Sequence, residues 1–446
     1  MILTEKYMKM AAKLISYRTC VLYVIISSLL IDVMARFGIN APIAFILYSW
    51  YFLITIALVT DLVTNHEIKP KGIYLILFVL ASVVSNLFYP QLITSDTITT
   101  FQMMMFELFL CFGFFRLGGT EKDFQMLVRI MISFTLIMSF LSIVGVVSFL
   151  KTDALTADFR YRGLYKGVNE AGLYTVLGLS CSFYEMVLGF RKKINAVNVL
   201  VQSIMIWLCD SRTAKIAAVI LVIGYFWYLF RKLRRWKRLF ITLLCLIGFL
   251  GLGLLSMKGL AAAAQTGENE SYGRNAYQDT VQADTSKITN ADPDHEEALS
   301  GKSDLFIRIN ALSSDRLIVW ETAVTAWKSS PITGYGVANA GKNYELFARY
   351  DNTHSLLFNL LLFSGILGTC CFGLFILTAF KRILKSWKNQ RPEWKYMAVV
   401  VFSVFVISFL ERVLLYDTKP ITFMFWIIFG YLIDKNEKTE VLAIHE

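Results

Sequence analysis

Apolar runs close to 20 residues long recur along the chain, separated by short polar or charged stretches. A helix of about 20 apolar residues rises far enough to cross the roughly 30 Å hydrocarbon core of a bilayer. The pattern predicts helical spans near 19–36, 43–63, 73–89, 99–115, 127–149, 170–189, 195–210, 214–230, 239–257, 354–380, 396–415 and 419–434. One segment breaks this rhythm. Residues 258–353 form a long polar insertion between the ninth and tenth spans. The expected organisation is therefore 1–257 with the first nine spans, 258–353 as a large loop carrying an amphipathic helix, and 354–446 with the last three spans and a tail. The fold class is all-α, a polytopic integral membrane protein with about twelve transmembrane helices and one large extracytoplasmic loop.

The insertion has two parts. Residues 261–302 are rich in Ala, Asn, Asp, Glu, Ser and Thr, and suit a mobile or partly helical lid. The second part is better patterned. Ser313, Ser314 or Asp315 can cap a helix, Arg316, Trp320 and Trp327 fall near one of its faces, and Pro331 ends it. Gly334, Gly336 and Gly341 then allow tight turns. No repeat relates the two halves of the chain, which argues against a transporter built from duplicated halves.

Composition fits this class. The 446 residues are 56% hydrophobic and 17% charged, below the quarter or so of charged residues usual in soluble domains. Lys and Arg cluster in alternate loops: Arg191–Lys193, six between Arg231 and Arg238, and six between Lys381 and Lys395. Loops 37–42 and 90–98 carry none. Positive residues stay inside, so both termini are expected in the cytoplasm. Lys6, Lys9, Lys13 and Arg18 precede an apolar run too long for a cleavable signal. The net charge of +11 is then mostly an orientation signal, and a nucleic-acid partner is not expected. Two outward loops break the pattern: 151–168, with Lys151, Arg160, Arg162 and Lys166, and the insertion itself. Their charges are either solvated or placed for an anionic ligand. The cysteines lie in or beside spans, where they read as small apolar packing residues rather than disulfide or zinc partners.

Ionisable groups at bilayer depth are costly and mark function or internal pairing. Asp32 and Arg36 stand one turn apart and are expected to pair with each other. Glu107, Glu170, Asp210, Arg212, Lys215, Glu411 and Arg412 lie in spans or at their ends. His354 opens the tenth span just after the insertion, where a neutral imidazole suits a general base for a sugar hydroxyl. Asp292-Pro-Asp294 has the form of a metal-binding Asp-x-Asp but lies in an unpatterned acidic stretch, and is read as solvated loop. Gly365 and Gly368 are about 16 Å or more along the helix from His354 and are read as close-packing positions.

The ordered set Ser211-Arg212-Thr213, Arg316-x-x-x-Trp320, Gly334-x-Gly336 and His354-Ser355 with Gly365-x-x-Gly368 resembles the O-antigen ligase/polymerase superfamily of polysaccharide enzymes. The stretch Arg162-Gly163 to Asn169-Glu170-Ala171 also looks like that family, with Val168 in place of the usual proline. The resemblance implies a GT-C-like glycosyltransferase architecture in the cytoplasmic (inner) membrane, with the active site on the extracytoplasmic side. It implies an O-antigen or capsule polymerase that takes a glycan from undecaprenyl pyrophosphate and joins it to a hydroxyl of another lipid-linked repeat unit, with inversion and with neither metal nor cofactor. By similarity, His354 is the catalytic base, and Arg212, Arg316 and Arg162 bind the donor pyrophosphate. Trp320, Gly334 and Gly336 pack the loop or the substrate. The partners implied are the lipid-linked donor, a glycan acceptor, the bilayer, and a chain-length regulator or flippase. The alternatives are a ligase moving the glycan to a different acceptor and, from another class, a flippase for the same lipid-linked unit.

A metal-independent transfer is expected to survive chelation with unchanged rate in isolated membranes. Strong inhibition reversed by added divalent metal would bring Asp292 and Asp294 back as ligands.

Overall fold

The computed structural model describes residues 17–36, 38–39, 42–43, 45–50, 52–53, 73–90, 93, 95–115, 119–148, 161–230, 237, 240, 303, 316–337, 353–416 and 419–444. Among the described residues the chain is all-helical. The helices are α1 (Tyr17–Arg36), α2 (Ile73–Phe88), α3 (Ser95–Gly113), α4 (Glu121–Ser148), α5 (Val168–Val187), α6 (Lys192–Leu208), α7 (Arg212–Leu229), α8 (Arg316–Ser329), α9 (Leu356–Lys385), α10 (Pro392–Ser408) and α11 (Pro420–Ile444). Apart from α8, each coincides with an expected span, including the two short ones near 99 and 195. The expected span 239–257 apart from residue 240, most of the span 43–63, the lid 261–302, Gly341 and the acidic pair Asp292 and Asp294 lie outside the described residues, as do the side chains of Asp32 and Arg36.

Among the described residues, three helices are long and apolar enough to cross a membrane: Glu121–Val144 within α4, Arg212–Leu229 and Leu356–Lys385. Apolar side chains also point outward, among them Leu80 on α2 and Leu374, Leu377 and Leu384 on α9. A large outward apolar surface marks contact with lipid or with another protein.

Two helices form the centre. Every residue of α5 from Ala171 to Glu185 is buried, and α11 is buried from Pro420 to Ile433. A helix that is apolar all round belongs inside a bundle. Small residues let the neighbours of α5 come close. A Cβ on Gly172 would stand 2.8 Å from Ser211 and Ala214 of the α7 start, and one on Gly178 would stand 2.7 Å from Thr135 Oγ1 of α4. Buried amides and hydroxyls then tie these helices together. Gln202 Nε2 donates to Thr135 O (3.0 Å) and Asn198 Oδ1 (2.8 Å), Asn198 Nδ2 donates to Ser182 Oγ (2.8 Å), and Ser139 Oγ donates to Gln202 Oε1 (3.0 Å). Such satisfied polar contacts hold apolar helices in register where burial alone gives little preference.

The two ends of the bundle are built differently. At one end, Arg391 pairs with Glu121 (2.5 Å) and Glu393 (2.9 Å), Tyr431 OH donates to Glu121 (2.6 Å), and Trp394 stacks on Tyr431. This end joins the starts of α4 and α10. The other end holds the starts of α5, α7, α9 and α11, the end of α10, and α8.

One finding departs from the sequence expectation. The tenth span is not one continuous helix, because Gly365 interrupts α9 with φ 60° and ψ −165°. The break frees backbone groups that would otherwise bond within the helix, and the 331–336 loop takes them up. Tyr335 N and Gly336 N donate to Leu362 O (2.7 Å) and Phe363 O (3.0 Å), while Ile366 N and Leu367 N donate to Pro331 O (2.9 Å) and Ile332 O (3.3 Å). Gly334, at φ 68°, has no room for a side chain: a Cβ would stand 2.6 Å from Gly365 N and from Leu362 O. On its other side the loop is fixed to the end of α2, where Val337 N donates to Asn86 Oδ1 (3.1 Å) and Tyr89 OH donates to Ser330 Oγ (3.0 Å). Gly368 faces α2, where its Cβ would meet Ala81 at 3.6 Å.

The backbone conformation at Gly365 is open essentially to glycine alone, and forcing another residue there costs on the order of 1–3 kcal/mol. Gly365→Ala is therefore expected to lower the thermal unfolding temperature in detergent, whereas Gly373→Ala, in open space on the same helix, is expected not to. Equal shifts for the two would contradict the docked-loop account.

Candidate active site

The end of the bundle that carries α8 brings three charged or titratable side chains together from separate parts of the chain. Arg316 is the first residue of α8, His354 lies in the turn before α9, and Glu411 follows the end of α10. Arg316 donates through Nη2 to Glu411 Oε1 and through Nη1 to Leu410 O. His354 Nδ1 stands 3.6 Å from the other carboxylate oxygen, Glu411 Oε2. One carboxylate thus faces both the guanidinium and the imidazole. Its side chain is 9% exposed, that of Arg316 is 16% exposed, and that of His354 is 44% exposed, so the imidazole is the member open to a substrate.

Each member is held by its surroundings. His354 has φ 50°, in the left-handed region that few non-glycine residues adopt. The neighbouring Thr353 fixes this turn: its Oγ1 donates to Asn359 Oδ1 (2.7 Å), lies 2.9 Å from Ser355 O and accepts from Ser355 N (3.3 Å). Trp320, one turn after Arg316 on α8, donates from Nε1 to Thr353 O (3.0 Å) and stacks on Phe358 at 5.3 Å. Trp320 therefore links the Arg316 helix to the His354 turn.

Glu411 is held from below. Tyr416 N, at a residue with φ 64°, donates to the fully buried Glu107 (3.0 Å). Trp426 Nε1 donates to Leu414 O (2.6 Å), and Thr422 Oγ1 donates to Val413 O. These contacts fix the 409–416 connection as a rigid support. Gly334 and Gly336 are buried in the backbone contacts with α9, on the side of α8 away from Arg316.

Arg212 and Arg162 stand at the same end of the bundle. Arg212 is exposed and opens α7, whose N-cap Ser211 accepts from Ala214 N (3.5 Å). α7 packs along α10, with Ser403 Oγ donating to Ala217 O (3.3 Å), so its start and the Glu411 turn reach one face. Next to Arg212, Lys215 pairs with Asp210 and lies 4.7 Å from the Trp207 ring. Arg162 is half-buried in a loop clasped onto α4. Tyr161 N donates to Leu208 O (3.0 Å), Leu164 N donates to Ser142 Oγ (3.0 Å), Tyr161 OH donates to Ser142 O, and Tyr165 OH lies 2.9 Å from Ser139 Oγ. Burial pushes the Tyr161 hydroxyl up, which keeps it a donor. Arg162 Nη1 donates to Lys166 O (3.3 Å) within this loop.

The structure thus joins Arg316 and His354 directly. It does so through Glu411, which the sequence marks only as a charge near a span end. The signal was that placement: a Glu-Arg pair where an apolar helix meets a loop. Among the described residues, no group of three or more His, Cys, Asp or Glu side chains is placed to hold a metal ion.

Residues 197–373 match the family model described as O-antigen ligase. A comparison with curated proteins gives no match. The matched stretch runs from within α6 into α9 and contains Arg212, Arg316, Trp320, Gly334, Gly336 and His354; Arg162 and Glu411 lie outside it. With the apolar helices, this match describes an integral membrane protein whose residues 197–373 are similar to the O-antigen ligase family.

Proposed function

We propose that the chain is a polysaccharide polymerase of O-antigen or capsule type. It moves a glycan from undecaprenyl pyrophosphate to a hydroxyl of another lipid-linked repeat unit. The observation that carries this reading is the Glu411 carboxylate shared by Arg316 and His354.

The chemistry follows from that arrangement. Glu411 faces Nδ1 of His354 and favours a proton on that nitrogen, so Nε2 is the basic one. The acceptor hydroxyl oxygen attacks the sugar C1, its proton passes to Nε2, and the bond from C1 to the pyrophosphate oxygen breaks. The imidazolium so formed lies beside the carboxylate, which stabilises it without taking the proton. Charge develops on the departing pyrophosphate, and arginines oppose it. Among the described residues Arg316 commits two of its five N–H donors, to Leu410 and Glu411, and in this reading its other donors meet the leaving group. Arg212 and Arg162 supply further positive charge at the same end. A single displacement inverts C1, and no nucleotide or metal is required because the pyrophosphate already activates the sugar. Trp320 acts as a positioning residue through Thr353.

In this reading the Arg316 end faces outside the cytoplasmic membrane, the Arg391 end and both termini face the cytoplasm, and the twelve-span, GT-C-like architecture holds for the whole chain. The family description favours a second reading, a ligase that delivers the finished glycan to a different acceptor. Both readings share the donor site and the base.

Membranes given the lipid-linked repeat unit are expected to produce a ladder of lengths with wild type. His354→Ala is expected to reduce transfer by about 10²–10⁴-fold, the usual contribution of a positioned base, while the protein still inserts. Near-normal turnover in that variant would remove His354 as base. A single transferred glycan on a second acceptor would establish the ligase reading, and movement of the unit to the far face without a new bond would establish a flippase. Arg316→Lys is expected to lose most activity, because an ammonium cannot reproduce the planar fork that spans Leu410 and Glu411. Full activity would show that a point charge suffices there.

A further inference from the structure

We propose that a cleft at the Arg391 end of the bundle binds an anionic phospholipid of the surrounding bilayer, with its phosphate between Arg129 and Arg191. The inference rests on the chain being embedded in a membrane and not on the transfer reaction, so a variant inactive in transfer still tests it.

The cleft holds about 470 Å³ and lies between α1, α4 and the turn before α6. Its walls include Leu29, Leu30, Ile130 and Phe134, and its cations are Arg129 and Arg191. α1 meets α4 over only a short stretch, which leaves the cleft open to the side, and Leu30 is 51% exposed in it. The volume falls in the range of small-molecule sites.

The two arginines are prepared differently. Arg129 is fixed: its Nε donates to Oε1 of the fully buried Glu185 (2.7 Å), and its guanidinium lies 5.8 Å from the Phe190 ring. Among the described residues its remaining N–H donors have no protein acceptor. Arg191 is exposed, at the turn between α5 and α6, and pairs with no carboxylate among the described residues. Arg129 and Glu185 cancel in charge, so the group Arg129, Glu185 and Arg191 carries one net positive charge. That charge at one end of an apolar cleft complements an amphiphile with a single phosphodiester negative charge. A soluble anion would leave the apolar walls wet, and a net-neutral lipid would leave the excess charge unmatched. Basic pockets between membrane helices bind anionic head groups on these grounds.

The test is native mass spectrometry of the full-length chain in detergent, titrated with phosphatidylglycerol, phosphatidylcholine or soluble glycerol phosphate. Wild type is expected to prefer phosphatidylglycerol. Arg191→Gln is expected to lose roughly fivefold in that affinity, the worth of one basic residue at an anionic head group. Leu30→Trp, which fills the cleft without changing charge, is expected to lose binding as well. Lys388→Gln, an exposed cation at the same end but outside the cleft, is expected to bind as wild type. The proposal fails if wild type shows no preference for phosphatidylglycerol over phosphatidylcholine, or if Leu30→Trp binds normally. It fails equally if Lys388→Gln loses as much as Arg191→Gln, or if glycerol phosphate competes as well as the lipid.

Discussion

The break in α9 at Gly365 is the constraint on which the candidate site depends. An interrupted helix inside an apolar bundle exposes carbonyl and N–H groups that have no water to bond, and each one left alone is costly. The 331–336 loop answers four of them with its own backbone. That contact is specific, because it needs both Gly334 and Gly365 in conformations with positive φ and without side chains. The same loop ends α8. Docking it against α9 therefore places Trp320 against Thr353 and Phe358, and Arg316 against Glu411. A polar insertion becomes part of a membrane bundle through peptide groups rather than through apolar packing alone.

The ion pair between Arg316 and Glu411 has a different meaning from the pairs at the opposite end. A buried pair is weak support for stability, since removal from water offsets much of the attraction. Arg391 with Glu121 and Glu393 is half-exposed and joins helix starts, which is a structural task. Glu411 is nearly buried yet faces an imidazole that is open to solvent. The local support is heavy: Glu107, Trp426 and Thr422 all hold the connection that carries it. Such investment in the position of one carboxylate is what a proton-transfer site requires.

Much of the fold was legible because apolar run length is a coarse, robust signal. Even the short helices α3 and α6 fall where the sequence expects them. The interruption of α9 was not legible, because a glycine inside an apolar run reads equally as a packing position. Gly368 does pack in that way, against α2, whereas Gly365 breaks the helix. Arg316 and His354 stood out as a cation and an imidazole at the two ends of one polar stretch. Glu411 did not, because its partners lie 95 and 57 positions earlier in the chain and only the docked loop brings them near. Trp320 illustrates an intermediate case. Its place on the α8 face was readable, but the carbonyl it bonds belongs to a turn whose geometry no pattern announces.

The measurement that tests this account most directly is a double-mutant cycle on transfer rate, with His354→Ala, Glu411→Gln and the two combined, each checked for insertion and monodispersity. If Glu411 acts by orienting His354, the combined loss falls well short of the product of the single losses, as for residues that work as a unit. A combined loss equal to that product would mean that carboxylate and imidazole act independently, and would contradict the shared site.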